Sequence, residues 1–247
     1  MKRGVVFIVS ISLVLGLIIW RSMPLLHRFN SLIGDVTWII QTGPDKRALK
    51  TDYLAELLGL SLESHHLDLK QATSLLLKSP VIIKGSVKRI DQKSIMIDYT
   101  VRKPYVWLAD FDNLALDRNG IPFPVLPFYT PKKMPELIVR QVDPCWHQPI
   151  EGKQIEFAFD ILNFLEKQGL FFSTSRVDVS QMMHPSLGAR EIVLIIENQN
   201  ASHFLRLAPL DYRDGINRYL RLRKYLDLSK DVVVDLRLRH LAFLKVS

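Results

Sequence analysis

Seventeen consecutive residues without a charge, GVVFIVSISLVLGLIIW from Gly4 to Trp20, constrain this chain more than any other feature. At about 1.5 Å per residue a helix of this length is just long enough to cross the hydrocarbon core of a bilayer. Gly4, Val5, Val6, Phe7, Ile8, Leu13, Leu15, Leu17, Ile18, Ile19 and Trp20 are its candidate anchor residues. Lys2, Arg3 and the amino terminus precede the run, so the bias of basic residues towards the cytoplasm keeps residues 1–3 inside and sends the rest out. Trp20 and Arg21 then fall at the outer interface, which tolerates an amphipathic ring and a snorkelling cation. The alternative is a cleaved signal peptide. Against it, the run exceeds the usual apolar core of such peptides, and WRSMPLLHRF offers no small-residue cleavage site.

About 225 residues follow, enough for one large or two modest domains. Cys145 is the only cysteine, so no intramolecular disulfide is available in an oxidising compartment and packing alone must hold the fold. The net charge is +8, but its cations are spread along the chain rather than clustered with aromatics. That distribution argues against nucleic acid and for attraction to an anionic membrane surface.

The pattern from Asp35 to Val101 predicts strand, helix, helix, strand, strand. Val36 to Ile40 is β-branched and aromatic and stops at Gly43-Pro44. Thr51 is expected to cap a short helix carrying Leu54, Leu57 and Leu58, which Gly59 ends. A second helix starts at Asp68 with Gln71 in capping-box position, carries Leu69, Ala72, Leu75 and Leu76 as its apolar stripe, and stops before Pro80. Val81 to Val87 reads as a strand. After a turn at Asp91 to Lys93, Ile95, Ile97, Tyr99 and Val101 share one face of Ser94 to Val101, which predicts a half-buried antiparallel strand with helices on one side.

Eight of the thirteen prolines lie between Pro104 and Pro149, so that stretch reads as edge strand and irregular loop. Beyond it the periodicity predicts a helix over Lys153 to Gln168 and strands at Arg176 to Val179, Glu191 to Glu197 and His203 to Leu207. A helix over Asp211 to Leu226 follows, with Arg213, Arg218, Arg221 and Lys224 on its outer face. The fold class is therefore α+β: an anchor, a βααββ domain and a β-rich domain with flanking helices.

No nucleophile elbow, phosphate-binding glycine loop, zinc-protease helix or dinucleotide fingerprint occurs, and the sequence calls for no cofactor and no small-molecule substrate. His65 and His66 are adjacent, which points their rings apart rather than at one metal. Cys145 and His147 in DPCWHQP form a candidate nucleophile and base without an identifiable third group. Asp110, Asp112 and Asp117 lack the spacing and final glutamate of a calcium loop, and a turn at Asn119-Gly120 explains them better. The reading is a chain that is not an enzyme. An anchored outer-surface hydrolase using Cys145 and His147 is the alternative.

Three segments resemble the FtsQ/DivIB division proteins of bacteria. Ser79 to Asp110 is similar to the strand pair leaving that family's POTRA domain, Leu116 to Phe123 to one of its hairpins, and Phe204 through Val233-Val-Asp-Leu-Arg237 to its terminal signature. The chain departs from the family at Asp91-Gln92-Lys93, where a Trp-Pro turn is usual, at Val101-Arg102, and at Arg239-His240-Leu241, where the family turns through glycine. The resemblance implies a tail over 1–3, an anchor over 4–20, a linker over 21–34, a POTRA-type domain over 35–102 and a β domain over 103–247. It also implies a scaffold of the division complex in the inner membrane, bound to FtsB-like and FtsL-like single-span proteins, with FtsK and FtsW as further candidates. Another POTRA protein, of secretion or outer-membrane assembly, is a related alternative; such proteins normally continue into a barrel.

From Val232 onwards every even position except His240 is apolar, which predicts a strand with one face on a core. Ala242 to Val246 is then a candidate sheet edge, to which a partner strand adds. The residues assigned to that contact are Val234, Leu236, Arg237, Leu238, His240, Ala242, Phe243, Leu244, Lys245 and Val246, with Leu238 and Phe243 as apolar anchors.

Overall fold

A computed structural model describes residues 32–33, 36–60, 67–129, 133–198 and 201–246. The anchor Gly4 to Trp20, most of the linker, and His65 and His66 lie outside the described residues. Among the described residues no helix is long and apolar enough to cross a membrane. The protein is a mixed α+β structure with one large sheet and few helices, and it divides into two compact units, Met1–Val101 and Arg102–Ser247.

The first unit holds β1 (Leu32–Ile33), β2 (Trp38–Thr42), α1 (Thr51–Leu57), β3 (Leu67–Asp68), α2 (Leu69–Lys78), β4 (Ile82–Arg89) and β5 (Ser94–Val101). β1 and β3 form a two-residue ladder, while β2, β5 and β4 form a sheet in that order. The alternation predicted for β5 is present: Ile95, Ile97, Tyr99 and Val101 are buried while Asp98 is exposed. Its pairing corrects the expectation, because β5 is antiparallel to β4 but parallel to β2. Parallel pairing needs a long connection, and here it runs from β2 through α1, α2 and β4 before β5 returns between β2 and β4.

Thr51 does not cap α1. It is the first helical residue, Lys50 holds the cap position without a side-chain bond, and the Thr51 hydroxyl accepts from Gln41 Nε2 at 2.8 Å. Asp68 does cap α2, its carboxylate accepting the Lys70 N–H at 2.8 Å. α2 buries Ala72 and Leu76 and closes tightly on the sheet: a Cβ at Gly85 would stand 2.6 Å from Leu76 Cδ2. Gly43 turns the chain out of β2 at φ +94°, where a Cβ would meet the Tyr99 carbonyl oxygen at 2.6 Å.

The second unit contains β6 (Val106–Leu108), β7 (Leu114–Leu116), β8 (Pro122–Pro124), β9 (Glu136–Ile138), α3 (Lys153–Lys167), β10 (Thr174–Asp178), β11 (Ile192–Glu197), β12 (Ser202–Leu207), α4 (Tyr212–Leu222), β13 (Val232–Asp235) and β14 (Phe243–Val246). They make a nine-stranded sheet in the order β14-β13-β12-β11-β10-β9-β6-β7-β8. The proline-rich stretch forms four three-residue strands, with β8 at the far edge.

One core joins α3 and α4 to the sheet. Ile161, Leu162 and Leu165 of α3 and Ile216 and Tyr219 of α4 pack with Leu137, Val177, Leu194, Leu205 and Val234. Each fully buried aliphatic side chain contributes roughly 1.5–3 kcal/mol. Val193, Ile195 and Glu197 alternate with Ile192, Leu194 and Ile196 and are half-buried on the opposite face. Gly169, at φ +70°, ends α3 as its N–H bonds to Glu166 and the Leu170 N–H to Leu165.

Candidate partner-binding edge

The sheet ends in a hairpin. β13 runs parallel to β12, and β14 folds back antiparallel to β13 with Val232 opposite Val246, Val234 opposite Leu244 and Asp235 opposite Phe243. Among the described residues no strand pairs with the outer side of β14. This corrects the predicted continuous strand. Even-numbered side chains face the core only as far as Val232, Val234 and Leu236. From Leu238 to Val246 every residue is exposed, so both faces of β14 meet solvent.

Leu238, Leu241, Phe243, Leu244 and Val246 are between 50% and 59% exposed. Five half-bare apolar side chains within nine residues of an unpaired edge is an arrangement that soluble sheets avoid, because it templates the pairing of another chain.

The connection 236–242 is held by cations that the sequence reading placed in solvent. Arg218 does not face outwards: its side chain is 14% exposed. Its guanidinium donates to the carbonyls of Leu236 at 2.7 Å, Leu238 at 3.0 Å and Leu241 at 3.1 Å. Nε lies 2.9 Å from Asp214 Oδ2 as an ion pair, without an aligned hydrogen bond. A fork of donors fixed on α4 thus replaces a sheet neighbour for three carbonyls of the connection. His240 adopts φ +65°, the left-handed position where glycine is the easy residue, so the turn is made without one.

Arg239 grips Asp211 with two bonds, Nε to Oδ2 at 2.9 Å and Nη2 to Oδ1 at 2.8 Å, and its hydrogen bond holds the Asp211 carboxyl below the usual carboxylate range. On the opposite face Arg237 and Arg206 bracket Asp235 and Glu191. Burial alone would raise the Asp235 carboxyl, but hydrogen bonds from the Arg237 side chain and backbone and the charges of Arg237 and Arg206 bring it below its ordinary value. Beside the hairpin, Arg218, Arg221, Leu222, Leu236, His240, Leu241 and Ala242 line a notch of about 230 Å³.

The other sequence candidates do not converge on this hairpin. Asp117 is buried, accepting from Arg102 Nη1 at 2.8 Å and from the N–H groups of Asn119 and Ile121, while Asp110 and Asp112 are exposed in the turn before β7. Cys145 is exposed in the loop 140–149, where His147 has φ +64°. Among the described residues no group of three His, Cys, Asp or Glu side chains could hold a metal ion. Of the residues assigned to partner contact, Val234 and Leu236 are core and Arg237 is committed to acids, whereas Leu238, His240, Ala242, Phe243, Leu244, Lys245 and Val246 are exposed. Arg218, Asp211 and Arg206 shape the site and had no assigned role, since a carbonyl or cross-strand partner leaves no local sequence pattern. No protein-family model matches this chain, and no curated protein matches it.

Proposed function

We propose that this chain is a non-enzymatic, membrane-anchored scaffold of the bacterial division complex, of the FtsQ/DivIB kind. In this reading Gly4 to Trp20 spans the inner membrane once with its N-terminus in the cytoplasm, and both units stand outside the cytoplasm at the division site. The first unit is the POTRA-type domain and the second is the β domain. Its β14 edge receives an added strand from an FtsB-like single-span partner, with an FtsL-like chain beside it. The observation that carries the reading is the terminal hairpin: an edge strand unpaired among the described residues and without proline, three of its four exposed side chains apolar, its connection fixed by Arg218 and Arg239. Main-chain bonds along such an edge give affinity and the pockets for alternate side chains give specificity. Strand, two helices and two strands in chain order in the first unit, with sheet order β2-β5-β4, support the domain assignment.

The test is photo-crosslinking in cells with a reactive amino acid at Phe243 and, as a control, at the exposed Leu126 beside β8. A crosslink to a single-span division protein from Phe243 alone is the expected result; equal products from both sites, or none from Phe243, contradict the proposal. A reporter fused after Ser247 should be active only outside the cytoplasm.

A further inference from the structure

The first unit carries an apolar patch that the β14 reading leaves unexplained. In the sheet β2-β5-β4 the face of Ile95, Ile97 and Tyr99 is buried, with Leu76 of α2 against Gly85, while Trp38, Ile40, Lys84, Lys88, Ile90 and Asp98 on the opposite face are exposed. On this exposed face the register aligns Ile40 with Met96 and Lys88, and one row away Trp38 with Ser94. Ile90, whose N–H bonds to the Ser94 carbonyl, closes that row. Trp38 is 67% and Ile40 45% exposed, and Ile90 is half exposed beside them. Together with the half-buried Met96 they make a patch at the end of the sheet where β2 begins.

Cations rim it. Lys88 adjoins Met96, Lys84 lies further along the same face, and Arg89 and Lys93 flank the β4–β5 turn. The acids at hand are Asp98, which already accepts from Thr42 Oγ1 at 3.1 Å, and Asp91, which accepts the Lys93 N–H at 2.8 Å. Tryptophan and isoleucine ringed by lysine suit the boundary between headgroups and acyl chains of an anionic bilayer, where the indole is amphipathic and the cations meet phosphate.

The chain itself brings the patch there. Residues 21–31 separate the anchor from β1, so full extension limits their span to about 40 Å, and Trp38 is five residues beyond Ile33, at most about 18 Å further. A surface tethered so closely meets its ligand at a high effective concentration and needs little intrinsic affinity.

We propose that the open face of β2-β5-β4 rests on the outer surface of the membrane, with Trp38 and Ile40 at the interface and Lys84 and Lys88 on anionic headgroups. The inference rests on the anchor reading of Gly4 to Trp20. The full-length chain carrying Cys145→Ser is reconstituted into vesicles of neutral phosphatidylcholine, or of phosphatidylcholine with anionic phosphatidylglycerol. A nitroxide is placed at Ser86→Cys on the open face or at the exposed Ser74→Cys on α2. Every variant should float with the vesicles. In anionic vesicles the ratio of oxygen to water-soluble nickel accessibility at Ser86→Cys should exceed that at Ser74→Cys several-fold, and Trp38→Ser with Ile40→Ser should remove the difference. Flotation with equal ratios at the two labels overturns the inference and leaves the anchor standing. Failure to float overturns both. Broadening by a second nitroxide at Ser86→Cys shows that a second copy of the chain covers the face, and also overturns it.

Discussion

The two edges of the nine-stranded sheet end in opposite ways. At β8 two of three residues are proline, and Pro122 and Phe123 are buried. Val125 donates to the Asn113 carbonyl at 3.2 Å, so alternation along the strand turns the N–H positions of residues 122 and 124 away from β7. Those are the two positions that proline deprives of a donor. At β14 no proline occurs, all four residues are exposed and three of them are apolar. Among the described residues one edge is closed to another strand and the other is left open, a difference that the proposed strand addition at β14 requires.

The largest expected effect comes from making β14 resemble β8. In a strand, neighbouring residues direct their backbone groups to opposite sides, so one of Leu244 and Lys245 turns its N–H towards β13 and the other outwards. Leu244→Pro and Lys245→Pro should therefore separate. The substitution at the inward position lowers the melting temperature, while the outward one keeps it and abolishes capture of the partner. If the variant with the parental melting temperature still captures the partner, β14 is not where the strand adds.

Arg218→Met comes next. It removes charge-assisted bonds to three carbonyls, each worth roughly 1.5–3 kcal/mol when well formed, although those of Leu238 and Leu241 regain water. The expected outcome is partner affinity at least about tenfold weaker, equal to about 1.4 kcal/mol, with the β8 edge unaffected. Hydrogen exchange should rise in 236–246 and stay parental in 114–125. Uniform acceleration would show that Arg218 supports the whole unit instead of the hairpin.

How far the sequence foretold these features depended on what covers each element. The alternation of Ile95, Ile97, Tyr99 and Val101 was readable because α1 and α2 cover that face, so pattern and burial coincide. The alternation from Val232 to Val246 was equally regular but misled beyond Leu236, since periodicity tells which side chains share a face and not whether anything lies over it. Arg218 sits one residue from the Tyr219 stripe of α4 and reads as solvated; its partners are backbone carbonyls some twenty residues away, which no side-chain pattern records. The parallel pairing of β2 with β5 was likewise invisible, because an interior strand is buried on one face in either direction.

Acid should distinguish the edges more gently. His203 on β12 is fully buried opposite Val232, its Nδ1 2.9 Å from the Tyr219 hydroxyl. Burial lowers its pKa, assisted by the charge of Arg223 and opposed by a backbone bond at Asp227 and the charge of Asp231. A depressed folded pKa means that the neutral ring's contribution is complete above the unfolded value near 6.5 and is lost as pH falls through the folded value. Between pH 7 and 5 the protection of β12 to β14 should therefore decline before that of β7 and β8. His203→Leu with Tyr219→Phe, which removes both buried polar partners, should flatten this dependence. An unchanged slope would assign it to the carboxylates.

The smallest effect is expected from opening β8. Pro124→Val restores an outward N–H and relaxes the unfolded chain, which costs about 0.4–1 kcal/mol of stability. The edge would then offer a donor, but within the strand Pro122 and Phe123 are buried and Pro124 half-buried, so the exposed apolar side chains nearby, Leu126 and Tyr129, lie beyond it rather than along it. If side chains rather than bare backbone groups decide which edge recruits a partner, this variant should bind one partner strand per chain, as the proposal expects of the parent, still through β14, and remain monodisperse. Light scattering and partner titration measure both. Self-association or a second binding event would mean that an unblocked backbone suffices, and the apolar side chains of β14 would then be incidental to its selection.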